Sequence, residues 1–222
     1  MGVSVHYWAV PPSSALFQRL ERDKAFVTLM AALFPYGNGV FFFFNGLEAD
    51  EREEILEDVI ARAQKRLGPE PNARRLIEEF RQELERTRLE YPGVEHRCGS
   101  LEKTSHLVEE RLREALKPIR SDAEKFVGKL LFGDRTLGAP DEEYIEALQQ
   151  KGDYKALGEE MENTVGLVSA PLVQEGAQVL SGLEEELLFM NDRVWQFVSF
   201  QRWRRLYQDA AAGGEALLVG VC

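Results

Sequence analysis

Val3-Ser4-Val5-His6-Tyr7-Trp8-Ala9-Val10, halted by Pro11-Pro12, and Ala216-Leu217-Leu218-Val219-Gly220-Val221, set off by Gly213-Gly214, decide the fold. Both are short, apolar and bounded by residues that stop a strand, so each reads as a strand. In the first, Val3, Val5, Tyr7 and Ala9 share one parity, and Ser4, His6, Trp8 and Val10 share the other. A strand near each terminus predicts that the two pair near the centre of one sheet. The expected fold class is therefore α+β: a helix-rich single domain over 1–222, with a small mixed or antiparallel sheet and helices packed on it.

The residues between the strands carry helix signals. Ser13 or Ser14 is placed to cap a short helix with Leu16, Phe17 and Leu20 inward, and Asp23 to cap a segment running to Phe34. Tyr36-Gly37-Asn38-Gly39 is a turn signal, and Val40-Phe41-Phe42-Phe43-Phe44 reads as a buried strand or a dimer interface. Leu47 to Leu67 reads as a helix whose acidic start and basic end complement its dipole, and Gly68-Pro69 ends it. Asn72 starts a second charged helix, with Leu76, Ile77, Phe80 and Leu84 inward. The two form a helical hairpin, expected as an insertion over 46–97. His96 and Cys98 fall in a predicted loop, after which Ser100 is expected to cap a helix carrying Val108, Leu112 and Leu116. Ala123 to Phe132 follows as a helix, then a loop from Gly133 to Pro140. Pro171 marks the first turn of another helix, and the last helix runs from Asn191 or Asp192 to about Ala211.

Charge narrows the function classes. The chain has 222 residues with 27 Lys+Arg against 38 Asp+Glu, a net charge of −11. A hydrophobic fraction of 44% supports a true core, which excludes a disordered acidic tail. The negative balance disfavours nucleic-acid and anionic-membrane binding, both of which need a positive footprint. The two cysteines, Cys98 and Cys222, are read as free thiols. No signal-peptide pattern is present, and the longest apolar stretch, Ala25 to Phe34, is about half of the roughly 20 residues a bilayer span needs. The expected location is the cytoplasm.

The order of these pieces resembles the YfbM-like family of uncharacterised bacterial proteins. Five marks carry the resemblance: Met1-Gly2 before a short strand and early helix; Leu101-Glu102-Lys103 at a helix start; Leu130-Leu131-Phe132-Gly133-Asp134 with Leu137-Gly138; Gly166-Leu167-Val168-Ser169 before a long helix; and the ending from Tyr207 to Val221. The segment from about Asp23 to Cys98 looks like an insertion relative to shorter members. The family has no established catalytic residues, so the resemblance implies a fold and transfers no site.

Several constellations bear on chemistry. His96, Cys98 and His106 lie within eleven residues, but they supply three ligands where structural zinc uses four. Cys98 with His106 or His6 is formally a nucleophile and base pair, yet no acid or oxyanion motif accompanies it. No nucleophile elbow, Walker loop or dinucleotide-binding glycine motif occurs. Glu184, Glu185 and Glu186 stand in a charged context that argues for solvation rather than acid–base work. The last helix interleaves Arg193, Arg202, Arg204 and Arg205 with Trp195, Phe197, Phe200, Trp203 and Tyr207. Such a mixture suits single-stranded nucleic acid or a protein hot spot. A core helix with the aromatic face inward is the preferred reading.

The expected function is that of a non-enzymatic, cytosolic protein-binding module, in an immunity- or antitoxin-like version neutralising a basic partner. Seven acids lie between Glu48 and Asp58 and eight between 141 and 163, so the expected partner surface comprises Glu51, Glu54, Asp58, Asp141, Glu142 and Glu143. No cofactor and no metal are expected, and the oligomeric state is open. The alternative is a small-molecule enzyme with a loop-borne site near His6, Cys98 or His106, or around Gly133 to Pro140. An enclosed polar pocket holding a His, a Cys or a buried carboxylate discriminates the two.

Overall fold

The structure is a computed structural model that describes residues 4–34, 49–69, 72–101, 104–138, 147, 165–183 and 194–221. The turn at Tyr36 to Gly39, the Val40 to Phe44 run, Glu184 to Glu186 and nearly all of 141–163 lie outside the described residues. Five strands form one antiparallel sheet: β1 (Val5–Val10), β2 (Cys98–Ser100), β3 (Arg135–Leu137), β4 (Val165–Val168) and β5 (Ala216–Val221), in the order β2-β1-β5-β4-β3. The two terminal strands pair along their whole length, from Val5 opposite Val221 to Val10 opposite Ala216. The α+β expectation and the central pairing of these strands both hold.

Alternation along β1 and β5 feeds two cores. Val5, Tyr7 and Ala9, with Leu217, Val219 and Val221, face one layer of helices. That layer is α5 (Ser105–Leu116), α6 (Ala123–Phe132), α7 (Ala170–Ser181) and α8 (Val194–Gly213). Trp8, Val10, Ala216 and Leu218 face the other. There the cover is α1 (Ala15–Leu20), α2 (Lys24–Leu33), α3 (Ala49–Leu67) and α4 (Ala73–Glu90). The sheet is thus covered on both faces, which is why the β5 sequence is apolar on both parities.

Capping follows the sequence signals at three helix starts. Ser14 Oγ accepts from Phe17 N at 3.3 Å, Asp23 Oδ1 from Ala25 N at 3.0 Å, and Asn72 Oδ1 from Arg75 N at 3.2 Å. The helical hairpin is α3 and α4, and it is integral to the second core. Val59, Ala63, Leu76, Ile77, Phe80 and Leu84 are buried there, and Phe80 meets Phe26 of α2 with ring centroids 5.7 Å apart.

Three segments differ from expectation. Cys98–Ser100 is strand β2 and not loop, and Ser100 pairs with His6 instead of capping a helix. Arg135–Leu137, expected as loop, is strand β3, and Val165–Val168 is strand β4. Each is three or four residues long, and two of the three contain glycine, so none has a strand-like pattern of its own. Their pairing is imposed by the neighbouring strand, whose backbone groups need partners once buried.

Gly220 shows how tightly the second layer sits on the sheet. A Cβ at this position would lie 2.0 Å from Cγ of Phe34. Gly220→Ala is therefore expected to cost about 2–3 kcal/mol in urea unfolding. In a Phe34→Gly background the same change should cost at least ~1 kcal/mol less, because the ring and the Cβ that carries it, 2.5 Å from the added carbon, are both gone. Equal costs in the two backgrounds would contradict this packing.

Candidate functional site

Where α8 crosses the β2 edge of the sheet, a cleft of about 370 Å³ opens. Small side chains make the room. Ala9 of β1 and Gly99 of β2 lie on its floor, and Ala210 of α8 on its wall. Gly99 is obligatory in its own way, since a Cβ there would stand 3.1 Å from Cδ2 of Leu206. The floor is anchored where the Ala9 amide donates to the Arg97 carbonyl at 2.9 Å.

The helix wall follows from the amphipathic pattern of α8. Phe200, Trp203 and Tyr207 are fully buried in the first core, with Trp203 and Tyr207 edge to face at 4.9 Å between centroids. The core reading of this helix is thus the observed one for these three, while the Trp195 side chain lies outside the described residues. With the aromatics inside, Arg202 and Arg205 are left exposed on the flank, at the cleft.

The charges of the cleft are unequal. At one end Glu215, 1% exposed, is ion-paired through Oε1 with Arg97, while Oε2 has no hydrogen-bond partner among the described residues. Arg205 is 3.8 Å from Asp209 on the next turn. Arg202 has neither an ion pair nor a hydrogen bond among the described residues. Two pairs cancel, and one guanidinium is left over on a chain whose net charge is −11.

Of the residues singled out for nucleophilic or metal chemistry, His96 and Cys98 line the cleft, whereas His6 and His106 do not. Cys98 lies on the parity opposite Gly99, so its side chain packs against the second core, and Sγ meets the Glu95 carbonyl at 3.4 Å. Burial, reinforced by the Glu95 charge, pushes this thiol up to about 12, so it is neutral at physiological pH. His96 is exposed beside Glu95, His106 is exposed on α5, and His6 stands opposite Ser100 in the sheet. Among the described residues no three His, Cys, Asp or Glu side chains gather as a metal site would require. Within Gly133 to Pro140, the described Asp134 accepts from both Ser169 N and Ser169 Oγ at 2.7 Å, a clamp that fixes the start of α7.

The acidic partner surface is only partly visible. Glu54 and Asp58 are exposed on α3, and Asp58 is paired with Arg62 at 3.0 Å. Glu57, their neighbour, is paired with Arg74 at 2.7 Å. Glu51 lies in α3 with its side chain outside the described residues, as do Asp141, Glu142 and Glu143 entirely. Among the described residues no helix is long and apolar enough to cross a membrane. No protein-family profile, curated protein or solved structure matches this chain.

A second buried acid lies away from the cleft. Glu109 of α5 is 1% exposed and ion-paired with Arg113, and its charge bears on the Tyr7 hydroxyl. Burial outweighs the arginine and raises its pKa from 4.5 to about 7. Between those values the folded protein holds a proton that the unfolded chain has released. Stability therefore falls as pH rises through this window, by on the order of 3 kcal/mol. Urea unfolding at pH 5 and pH 8 should show this fall in the parent and not in Glu109→Gln; parallel pH profiles would contradict it.

Proposed function

We propose that this chain is a non-enzymatic binding protein of the cytoplasm, and that the cleft between α8 and β2 takes a small anionic ligand. One observation carries the reading: Arg202, without a partner among the described residues, stands at a cleft whose other charges are paired, on a chain that is otherwise strongly acidic. A guanidinium binds carboxylate or phosphate through two parallel N–H donors, and the volume is of small-molecule size. The packing and protonation of Cys98 favour binding over a thiol-based reaction, since the residue lines the cleft but packs against the second core and its thiol is neutral. The enzymatic alternative finds its polar pocket here, with the buried Glu215 carboxylate, His96 and Cys98 all in its lining, but His6 and His106 do not reach it. Kinship with the YfbM-like family is proposed on the order of elements and on the ending from Tyr207 to Val221, and it lends no residue a role.

A second reading keeps the basic protein partner of an immunity- or antitoxin-like module, docked on α3. The exposure of Glu54 and Asp58 favours it. The double change Glu54→Lys with Asp58→Lys should then lower the salt concentration that elutes the protein from immobilised polylysine more than the equally charged change Glu110→Lys with Glu114→Lys on α5 does, whereas equal shifts for the two pairs would remove this surface.

Calorimetric titration with succinate and with inorganic phosphate tests the cleft. At least one probe should bind, and Arg202→Ala should weaken it at least tenfold, or ~1.4 kcal/mol. Raising the salt should also weaken binding, as for any partly exposed ionic contact. No binding of either probe, or equal binding by Arg202→Ala, would contradict the proposal.

A further inference from the structure

The Glu215 end of the cleft asks for a different partner from the Arg202 end. Glu215 is buried just below the sheet, at the junction of α8 and β5, and among the described residues only one of its two carboxylate oxygens is engaged. A buried carboxylate oxygen without a donor is an unusual thing for a fold to keep. The group that covers it, the Arg97 side chain, is 39% exposed and so has room to turn outward. Beyond it the cleft leads to Arg205 and Arg202 on α8. One end of the cavity thus presents a carboxylate in need of an N–H donor, and the other a guanidinium in need of an anion.

We infer that the cleft is built for a zwitterion, a free peptide of two or three residues, with its ammonium on Glu215 and its carboxylate on Arg202 and Arg205. This rests on the anion-binding reading of the same cleft and adds the cationic end. The length follows from the helix. Arg205 and Arg202 stand eight and eleven residues before Gly213, the last residue of α8, a rise of ~12 and ~16 Å. Two or three extended residues span about 7–10 Å, and the long side chains at the two ends make up the remainder. A single amino acid is too short to touch both ends, and a dianion long enough to span them would set a carboxylate against Glu215.

Calorimetry with alanylalanine and N-acetyl-alanylalanine separates this inference from the reading beneath it. Both probes carry the carboxylate, and only the first carries the ammonium. The expected result is that alanylalanine binds at least tenfold tighter than its acetylated form, that Glu215→Gln removes this preference, and that Arg202→Ala weakens both probes alike. Equal affinity of the two probes for the unaltered protein overturns the zwitterion while leaving the anion cleft standing. Failure of both to bind overturns the zwitterion as well, and the succinate and phosphate titrations then decide whether the cleft takes anions at all. The comparison of probes on the unaltered protein stands even if Glu215→Gln fails to fold.

Discussion

The pairing of β1 with β5 is the constraint on which the rest of the structure depends. It joins Val5–Val10 to Ala216–Val221 over six residues of register, and both faces of the joined strands are buried. Backbone polar groups in such a place have no water to turn to, so the ladder must be complete. Each remaining edge must also be matched. β2 closes the free side of β1 and β4 the free side of β5, although neither is a strand by its own composition. Two layers of helices then cover the faces, and each contributes its own core. Because the contacts that define the sheet are so distant in sequence, its formation carries a large loop-closure cost that burial on two faces has to offset.

The cleft is a consequence of how the outer end of this sheet is finished. α8 is drawn onto the first face by Phe200, Trp203 and Tyr207, and Tyr207 Oη fixes it further by donating to the Leu130 carbonyl. Over β2 the helix comes close enough for Leu206 to sit on Gly99, and both residues line the cleft with Ala9. The chain then leaves α8, places Glu215 under Arg97, and enters β5. The pair spans 118 residues of sequence and ties the end of the last helix to the loop before β2. A buried ion pair of this kind is poor evidence for stability, since desolvation offsets most of its attraction.

Much of the fold was legible because its signals are local. Parity in Val5–Val10, the caps at Ser14, Asp23 and Asn72, and the aromatic spacing in α8 each report on a few neighbouring residues, and each has its expected structural counterpart. β2, β3 and β4 were illegible because their strand character belongs to their partners. The cleft was hidden for a related reason. It is lined by small residues and by an ion pair between distant segments, neither of which has a sequence period. One signal did point to it: Glu215 is a lone acid standing directly before an all-apolar strand, where a solvated charge is out of place. Arg202 and Arg205 were noticed, but as part of a helix whose aromatics were the stronger feature. In the acidic cluster of α3, Glu54 and Asp58 are exposed as a charged helix start implies, and the pairing of Asp58 and its neighbour Glu57 with nearby arginines has no sequence signal beyond the i,i+4 spacing of Asp58 and Arg62.

Native-state hydrogen exchange tests the central role of the terminal strands most directly. The amides of Val5–Val10 and Ala216–Val221 should be the slowest in the protein and should open only with global unfolding, while those of α3 and α4 exchange through smaller openings. Exchange of either terminal strand at a free energy below that of α4 would show that the pairing is peripheral, and that the two helical layers hold together without it.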